Sequence, residues 1–328
     1  MLLIFVMINH EIFLSSLCIF PFREKRTNLN SRDADMSSGC RMFSKVLFAT
    51  DLSPYSSASL ECVSEMPGVH EVILLNVVDA THPSKRGWVF DNAIKDSEKE
   101  LENQKKHLLL SGIDSRVRVE VITTGDVAET IVRVAKEEEV SLIVTGARGK
   151  GLVSRVLLGS VSKGVLQGTR GGVLIIRNRV VELPKGPKYE KLCPGIFSKI
   201  LFPTDFSDHA SSVVPILEGL KGLGKVILLH VVTRGETKEE IDISMETAQH
   251  RLEAIAEGLK RAGKKAEVVV HLGSPTDEII HLAENEDVSL IVMGRHGHGR
   301  VREMVLGSTA YMVAKRAKRP VLIAGHSS

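Results

Sequence analysis

The sequence predicts an α/β protein of two doubly wound domains, each with a five-stranded parallel sheet. Three observations support this prediction. One unit occurs twice along the chain, each unit alternates strand-like runs with helical patterns, and the apolar residues are mainly aliphatic, since aromatic residues make up only 4% of the chain. Alternating strands and helices indicate a parallel sheet covered by helices, and buried parallel strands are rich in Val, Ile and Leu.

The internal repeat is clearest in two pairs of segments. KVLFATDLS at 45–53 and KILFPTDFS at 199–207 agree at six of nine positions. The segments 140–160 and 288–308 agree at 12 of 21 positions. The offset between matched residues falls from 154 to 148 along the repeat. The first repeat therefore has six additional residues, which we expect near 81–91.

The repeats define the domain organisation. Residues 1–41 precede both repeats, and the polar residues at 9–11 interrupt their apolar stretch with a glutamate that is costly inside a membrane. We expect this extension to be disordered or non-native, and we expect no membrane partner. Domain 1 is predicted at 42–177 and domain 2 at 199–328, and the Pro- and Gly-containing segment 178–198 is interpreted as a linker.

Local patterns predict the elements of each domain in order. Runs rich in β-branched residues predict buried strands at 46–50, 72–78, 117–122, 140–145 and 173–176. Ser53 before Pro54, Asp126, and Ser274 before a proline are start signals for the intervening helices. Apolar residues at helical spacing between 241 and 259 predict a helix in domain 2. In such folds, ligands bind beyond the carboxyl ends of the strands.

A glycine-rich loop with the spacing G-x2-G-x9-G-S follows the fourth strand of each repeat. Its residues are Gly146, Gly149, Gly159 and Ser160 in the first repeat, and Gly294, Gly297, Gly307 and Ser308 in the second. Glycines allow close approach of a ligand and positive φ, and free amides at a helix start attract an anion. One such loop is equally well explained as a turn before a capped helix. Its recurrence with identical spacing favours a phosphate site.

Composition and the remaining motifs argue against several function classes. A net charge of +3 is too small to indicate nucleic acid binding. The four cysteines are too widely spaced for a disulfide framework or a zinc site, and they are typical of a cytoplasmic protein. The segment 219–225 is similar to a P-loop, but it lacks the Ser or Thr and precedes a strand.

These loops, together with a Thr-Asp pair at the end of the first strand, resemble the universal stress protein family. The resemblance covers 45–177 and 199–324. It implies a Rossmann-like, adenine nucleotide alpha hydrolase-like fold in tandem and a stress-response or regulatory role. It also implies an adenine nucleotide, ATP or AMP, in each domain, with magnesium as a further candidate.

The resemblance also implies the residues of each site. The first site would consist of Ala49, Thr50, Asp51, Val77, Gly146, Gly149, Gly159, Ser160 and Val161, and the second of Pro203, Thr204, Asp205, Val231, Gly294, Gly297, Gly307, Ser308 and Thr309. In each set, the glycines and the two residues after the last glycine would bind the phosphates and ribose. The aspartate would bind the ribose or magnesium, and the other residues would hold the adenine.

Several assignments stay open at this stage. The two aspartates are alternatively helix caps. Ala49 and Thr309 depart from the proline and valine of the family pattern, so the two sites need not bind equally. His296 is interpreted as a solvated loop residue, and His230 as a structural residue on a buried strand.

The sequence favours a binding protein over an enzyme. Neither loop has a Glu, His or Gln that recurs at one matched position, as a residue that orients the attacking water would. A slow ATPase or nucleotide-transferring enzyme, and a partner-binding scaffold with vestigial sites, are the alternatives. The apolar last strands at 173–176 and 321–324 predict that the two domains pair with each other within the chain. A homodimer remains a further alternative.

Overall fold

The computed structural model describes residues 43–81, 88–147, 158–183, 186–191, 195–233, 235, 237–297 and 306–325. The predicted N-terminal extension at 1–41 lies outside these residues, as do Gly149 and the rest of the first glycine-rich loop between 148 and 157.

The first repeat alternates strands and helices from end to end. Its elements are β1 (Lys45–Ala49), α1 (Pro54–Ser64), β2 (Glu71–Asp79), α2 (Trp88–Leu110), β3 (Asp114–Ile122), α3 (Val127–Glu137), β4 (Leu142–Gly146), α4 (Ser160–Gly168) and β5 (Gly172–Ile176). Ser53 and Asp126 cap α1 and α3 through their side chains, as predicted. Two further strands, β6 (Asn178–Leu183) and β7 (Gly186–Lys191), follow.

The second repeat has the same order of strands. Its elements are β8 (Lys199–Pro203), α5 (Asp208–Ser211), α6 (Val214–Gly219), β9 (Lys225–Val232), α7 (Lys238–Arg261), β10 (Lys265–Leu272), α8 (Pro275–Asn285), β11 (Leu290–Gly294), α9 (Ser308–Arg316) and β12 (Val321–Ala324). Here α5 and α6 replace the single helix α1. Pro215 lies in the first turn of α6, where its missing amide does not interrupt a helical hydrogen bond.

The strands form one ten-stranded sheet in the order β10-β9-β8-β11-β12-β5-β4-β1-β2-β3. Within each repeat the five strands are parallel, which confirms the predicted fold class. The repeats meet where β5 and β12 pair in antiparallel orientation, with Leu174 opposite Leu322. The predicted pairing of the last strands is therefore confirmed. Because the two halves run in opposite directions, their carboxyl ends lie at opposite edges of the sheet.

The sheet is buried on both faces. Val46 and Phe48 of β1 belong to one apolar cluster, and Leu47 between them belongs to the cluster on the other face. Both clusters contain residues from both repeats, so the core continues across the β5–β12 junction. This burial explains why aliphatic residues run continuously through the strands.

The six additional residues of the first repeat are divided between two places. Val78 lies opposite Val121, whereas its counterpart Val232 lies opposite Leu272. Three of the six additional residues therefore lie between β2 and β3. The other three lie between β3 and α3, before the helix cap Asp126. All six residues follow β2, and three of them lie in the β2–β3 connection that contains 81–91, but they do not form one insertion there. The exposed edge strand β3 differs in sequence between the repeats, so the sequence does not reveal the division.

The segment predicted as a linker contains an antiparallel hairpin, in which β6 pairs with β7. Asn178 at its start is buried and ties it to α1: its amide donates to the Tyr55 hydroxyl at 3.1 Å, and its side chain donates to the Tyr55 carbonyl at 2.9 Å. Proline and glycine signal turns but do not reveal a strand pair between them.

Candidate functional site

A cavity of about 670 Å³ lies at the carboxyl ends of the central strands of the second repeat. All nine residues predicted for the second site line it: Pro203, Thr204, Asp205, Val231, Gly294, Gly297, Gly307, Ser308 and Thr309. The volume is within the range of about 300–1,000 Å³ that small-molecule sites occupy. The position is the one expected for ligands of open α/β sheets.

A strained turn after β8 positions Asp205 at the cavity. Its Oδ1 atom accepts hydrogen bonds from the Ser207 amide at 3.0 Å and hydroxyl at 2.6 Å. Phe206 between them has a left-handed φ of 64°, and its amide donates to the Thr204 hydroxyl. The helix cap is Ser207, which accepts from the Ala210 amide. Asp205 therefore orients the cap residue rather than capping the helix itself.

The loop glycines are required by close packing. A Cβ atom on Gly297 would overlap Oδ2 of Asp205, and one on Gly294 would lie 2.7 Å from the His209 carbonyl oxygen. None of these glycines has a positive φ: Gly294 and Gly297 are outside the left-handed region, and Gly307 has a φ of −69°. The expectation of positive φ was wrong for them, because glycine spacing does not distinguish an unusual backbone from a close approach.

The start of α9 is held beside the end of β11. The Gly307 amide donates to the Arg295 carbonyl at 2.9 Å, which closes the glycine-rich loop at its base. The N-cap residue of α9 is Gly307, which has no side chain to satisfy the first amides of the helix. Ser308 and Thr309, the first helical residues, line the cavity. This end of the cavity therefore carries the partial positive charge of a helix N-terminus.

The cavity lining is mainly apolar. Leu229, Val231, Ile279 and Met293 contribute aliphatic or thioether surface to it, together with Pro203. Such a wall suits a flat, weakly polar ring, because burying it requires few hydrogen bonds.

His230 also lines the cavity, and it holds the Asp205 turn in place. Its Nδ1 atom lies 2.8 Å from the Thr204 carbonyl oxygen. Because a carbonyl only accepts, Nδ1 carries the proton. Its ring stacks on the Phe206 ring, with centroids 4.6 Å apart. The Arg251 guanidinium carbon lies 4.0 Å from the centroid of the Phe206 ring. The structural role expected for His230 is present, but its position at the cavity was missed.

Arg295 connects the cavity wall to the first repeat. It is only 4% exposed, and its guanidinium donates to the Leu166 carbonyl at 3.0 Å and the Gly171 carbonyl at 2.7 Å. Burial lowers the pKa of Arg295 to about 10, so it stays protonated at neutral pH. Arg177 makes the reverse connection, to the Ala314 carbonyl at 2.7 Å. Sequence reasoning missed Arg295, since its counterpart in the first repeat is Ala147.

The described part of the first site has the same turn. Asp51 accepts from the Ser53 hydroxyl at 2.6 Å, and Leu52 has a φ of 61°. The Asn76 side chain donates to the Thr50 carbonyl, as His230 does to Thr204. The other predicted residues lie at strand ends or at the start of α4, namely Ala49, Val77, Gly146, Gly159, Ser160 and Val161. Gly149 lies outside the described residues.

The described residues contain neither a metal-binding cluster nor a membrane-spanning helix. They contain no group of three or more His, Cys, Asp or Glu side chains arranged to hold a metal ion. None of their helices combines the length and apolar character needed to cross a membrane.

Known proteins with a similar sequence belong to one family. The model of the universal stress protein family matches residues 42–177 and 197–325. A universal stress protein of Methanocaldococcus jannaschii is 32% identical over 153 residues, which cover 39% of this chain and 94% of that protein. One of Mycobacterium bovis is 23% identical over 316 residues, which cover 85% of this chain and 94% of that protein.

A solved structure matches this chain over nearly its whole length. The crystal structure of a universal stress protein from Archaeoglobus fulgidus has a TM-score of 0.66 and 26% identity, and the match covers 88% of this chain and 98% of that one. Together with the two matched segments, this similarity establishes the family. The chain belongs to the universal stress protein family and carries two family domains in tandem.

Proposed function

We propose that this protein is an adenine-nucleotide-binding stress-response or regulatory protein with one site in each domain. ATP and AMP are the candidate ligands. The observation that carries the proposal is the cavity of the second repeat, about 670 Å³ in volume, because the nine residues expected to bind a nucleotide all line it. Those residues come from four places: the end of β8, the end of β9, the end of β11 with the loop after it, and the start of α9.

The phosphates bind at the start of α9. The amides of Ser308 and Thr309 and the Ser308 hydroxyl provide hydrogen-bond donors there, and the helix dipole favours an anion. Gly297 completes this end, since the absence of a side chain leaves room beside Asp205. The binding uses backbone donors and needs no catalytic lysine.

The adenine binds against the apolar part of the lining, at Pro203 and Val231. Asp205 provides a carboxylate that binds the ribose hydroxyls or a magnesium ion. Its Oδ1 atom is held by Ser207, which fixes the direction of the carboxylate without a ligand. A group held this way loses little conformational entropy when it binds.

Titration calorimetry of the full chain with ATP and with AMP tests the proposal. The expected result is saturable binding of at least one of them, with two nucleotides per chain. Mass spectrometry of nucleotide released from the purified protein identifies the physiological ligand. Absence of saturable binding of both nucleotides would overturn the proposal, and a stoichiometry of one would assign binding to a single domain.

A further inference from the structure

Two histidine side chains of the second repeat lie against each other beside the cavity. The rings of His209 and His296 have centroids 5.0 Å apart and planes inclined at 52°. His296 follows Arg295 in the glycine-rich loop and lines the cavity. His209 is exposed on α5, in the segment that follows Asp205. The pair therefore joins the two segments that also carry Asp205 and Gly297.

Backbone packing brings together the two segments that carry these histidines. The carbonyl of His209 is so close to Gly294 that a Cβ atom there would lie 2.7 Å from its oxygen. α5 consequently packs directly on the end of β11, two residues before His296. The loop that carries His296 is closed at its base by the hydrogen bond from Gly307 to Arg295.

The separation of the two rings matches that of two imidazoles sharing one metal ion. Imidazole nitrogens are ligands for zinc, cobalt, nickel and copper. Two imidazoles bound about 2.0–2.1 Å from one tetrahedral ion hold their ring centroids roughly 5 Å apart. Because the described residues contain no larger group of metal ligands, the pair fills only two positions and leaves the others open. Since His296 lines the same cavity as Gly307 and Ser308, phosphate oxygens bound at the start of α9 are candidates to fill these open positions.

The first repeat lacks this pair. The residue that corresponds to His209 is Tyr55, and the residue that corresponds to His296 is Arg148. The Tyr55 hydroxyl accepts a hydrogen bond from the Asn178 amide at 3.1 Å, so this side chain binds the start of the β6–β7 hairpin. A metal bound by imidazoles would therefore distinguish the two domains. It would also differ from magnesium, which prefers oxygen ligands.

We propose that His209 and His296 bind a divalent transition-metal ion, such as zinc, whose remaining positions are filled by phosphate oxygens of the nucleotide and by water. The contribution of phosphate rests on the proposed function. The binding of the ion by the two imidazoles does not. The ion makes nucleotide affinity in the second domain dependent on a transition metal.

The first test uses zinc alone. Calorimetric titration of the full chain with zinc chloride, without nucleotide, compares the wild type with His209→Asn, His296→Asn and the control His250→Asn. His250 is a strongly exposed histidine on α7, far along the chain from the pair. The expected result is one zinc site that is present in the wild type and the control and weakened at least tenfold in each pair variant. Circular dichroism checks that all variants are folded.

The second test adds nucleotide. ATP affinity of the wild type and the control should be at least tenfold higher with zinc than with EDTA, and this ratio should disappear in both pair variants. Equal zinc binding by all four proteins would overturn the metal site. Zinc binding that depends on the pair, with ATP affinity indifferent to zinc, would overturn the bridging role. If ATP bound neither with zinc nor with EDTA while the zinc site was intact, the proposed function would be overturned and the metal site would be supported.

Discussion

Gly297 lies so close to Asp205 that a Cβ atom at this position would overlap the Oδ2 atom of the carboxylate. The other carboxylate oxygen, Oδ1, is held by the amide and hydroxyl of Ser207, so the side chain has little freedom to move away. The glycine-rich loop and the Asp205 turn therefore pack directly against each other. A change in either one displaces the other, although they are separated by more than ninety residues in the sequence.

This relationship predicts the effect of a side chain at 297. Gly297→Ala should displace Asp205 and weaken ATP binding in the second domain at least tenfold, about 1.4 kcal/mol, and Gly297→Val should abolish it. Gly258→Ala is the matched control, because its Cβ atom would make an ordinary contact 3.6 Å from Glu218. Titration calorimetry should show one site lost in Gly297→Val and none lost in the control.

The corresponding variant Gly149→Val tests the first domain. It should remove the other site, and the double variant should bind no ATP. Unchanged stoichiometry in the double variant would show that the nucleotide binds elsewhere.

Arg295→Ala should weaken the association of the two repeats. It removes the donor from two carbonyl groups of the first repeat, and Arg295 itself is almost completely buried. Hydrogen bonds to a charged group contribute about 1.5–3 kcal/mol, so we expect the free energy of unfolding to fall by about 2–3 kcal/mol. Alanine is compatible with the local backbone, since the first repeat has Ala147 there. Urea denaturation with an unchanged midpoint would contradict this account.

The edge strand β3 should make stability sensitive to acid. Burial raises the pKa of Glu120 and Glu138, but hydrogen bonds from arginines outweigh it and lower both pKa values. Hydrogen bonds from Arg133 and Arg118 also lower the pKa of Glu137. Arg118 contacts all three carboxylates at 2.7–3.0 Å.

A carboxylate with a lowered pKa stabilises the folded state above its unfolded pKa of about 4.3, and this stabilisation is lost as the pH falls through the folded value. The free energy of unfolding should therefore decrease below about pH 4.5, and Arg118→Gln should reduce this dependence. Lys105→Gln, which breaks a single exposed pair at 3.7 Å, serves as the control. Urea midpoints between pH 3 and 7 that vary identically in all three proteins would exclude the network as the cause.

A chain that begins at Met42 should bind ATP with the affinity of the full chain. Residues 1–41 precede both repeats and contain no glycine-rich loop. Calorimetry on both proteins measures the difference directly. A tenfold loss of affinity for ATP, about 1.4 kcal/mol, would show that residues 1–41 contribute to binding.

The sequence by itself determined the duplicated α/β fold and the alternation of its strands and helices, and its family resemblance indicated the nine residues that line the second cavity. The fold follows from local patterns: apolar runs form strands, caps such as Ser53 begin helices, and the carboxyl ends of parallel strands converge on one edge. The pairing of β5 with β12 was also predictable, because each strand would otherwise leave an apolar edge exposed.

Only the tertiary structure decided why Gly297 is a glycine, which carbonyls Arg295 binds, and that His209 meets His296. In each case, the partners are residues far apart along the chain, or they belong to different repeats. Periodicity and capping report the surroundings of a residue within a few positions of itself. Contacts across the sheet depend on how its two halves and their helices pack, and no local pattern contains that information.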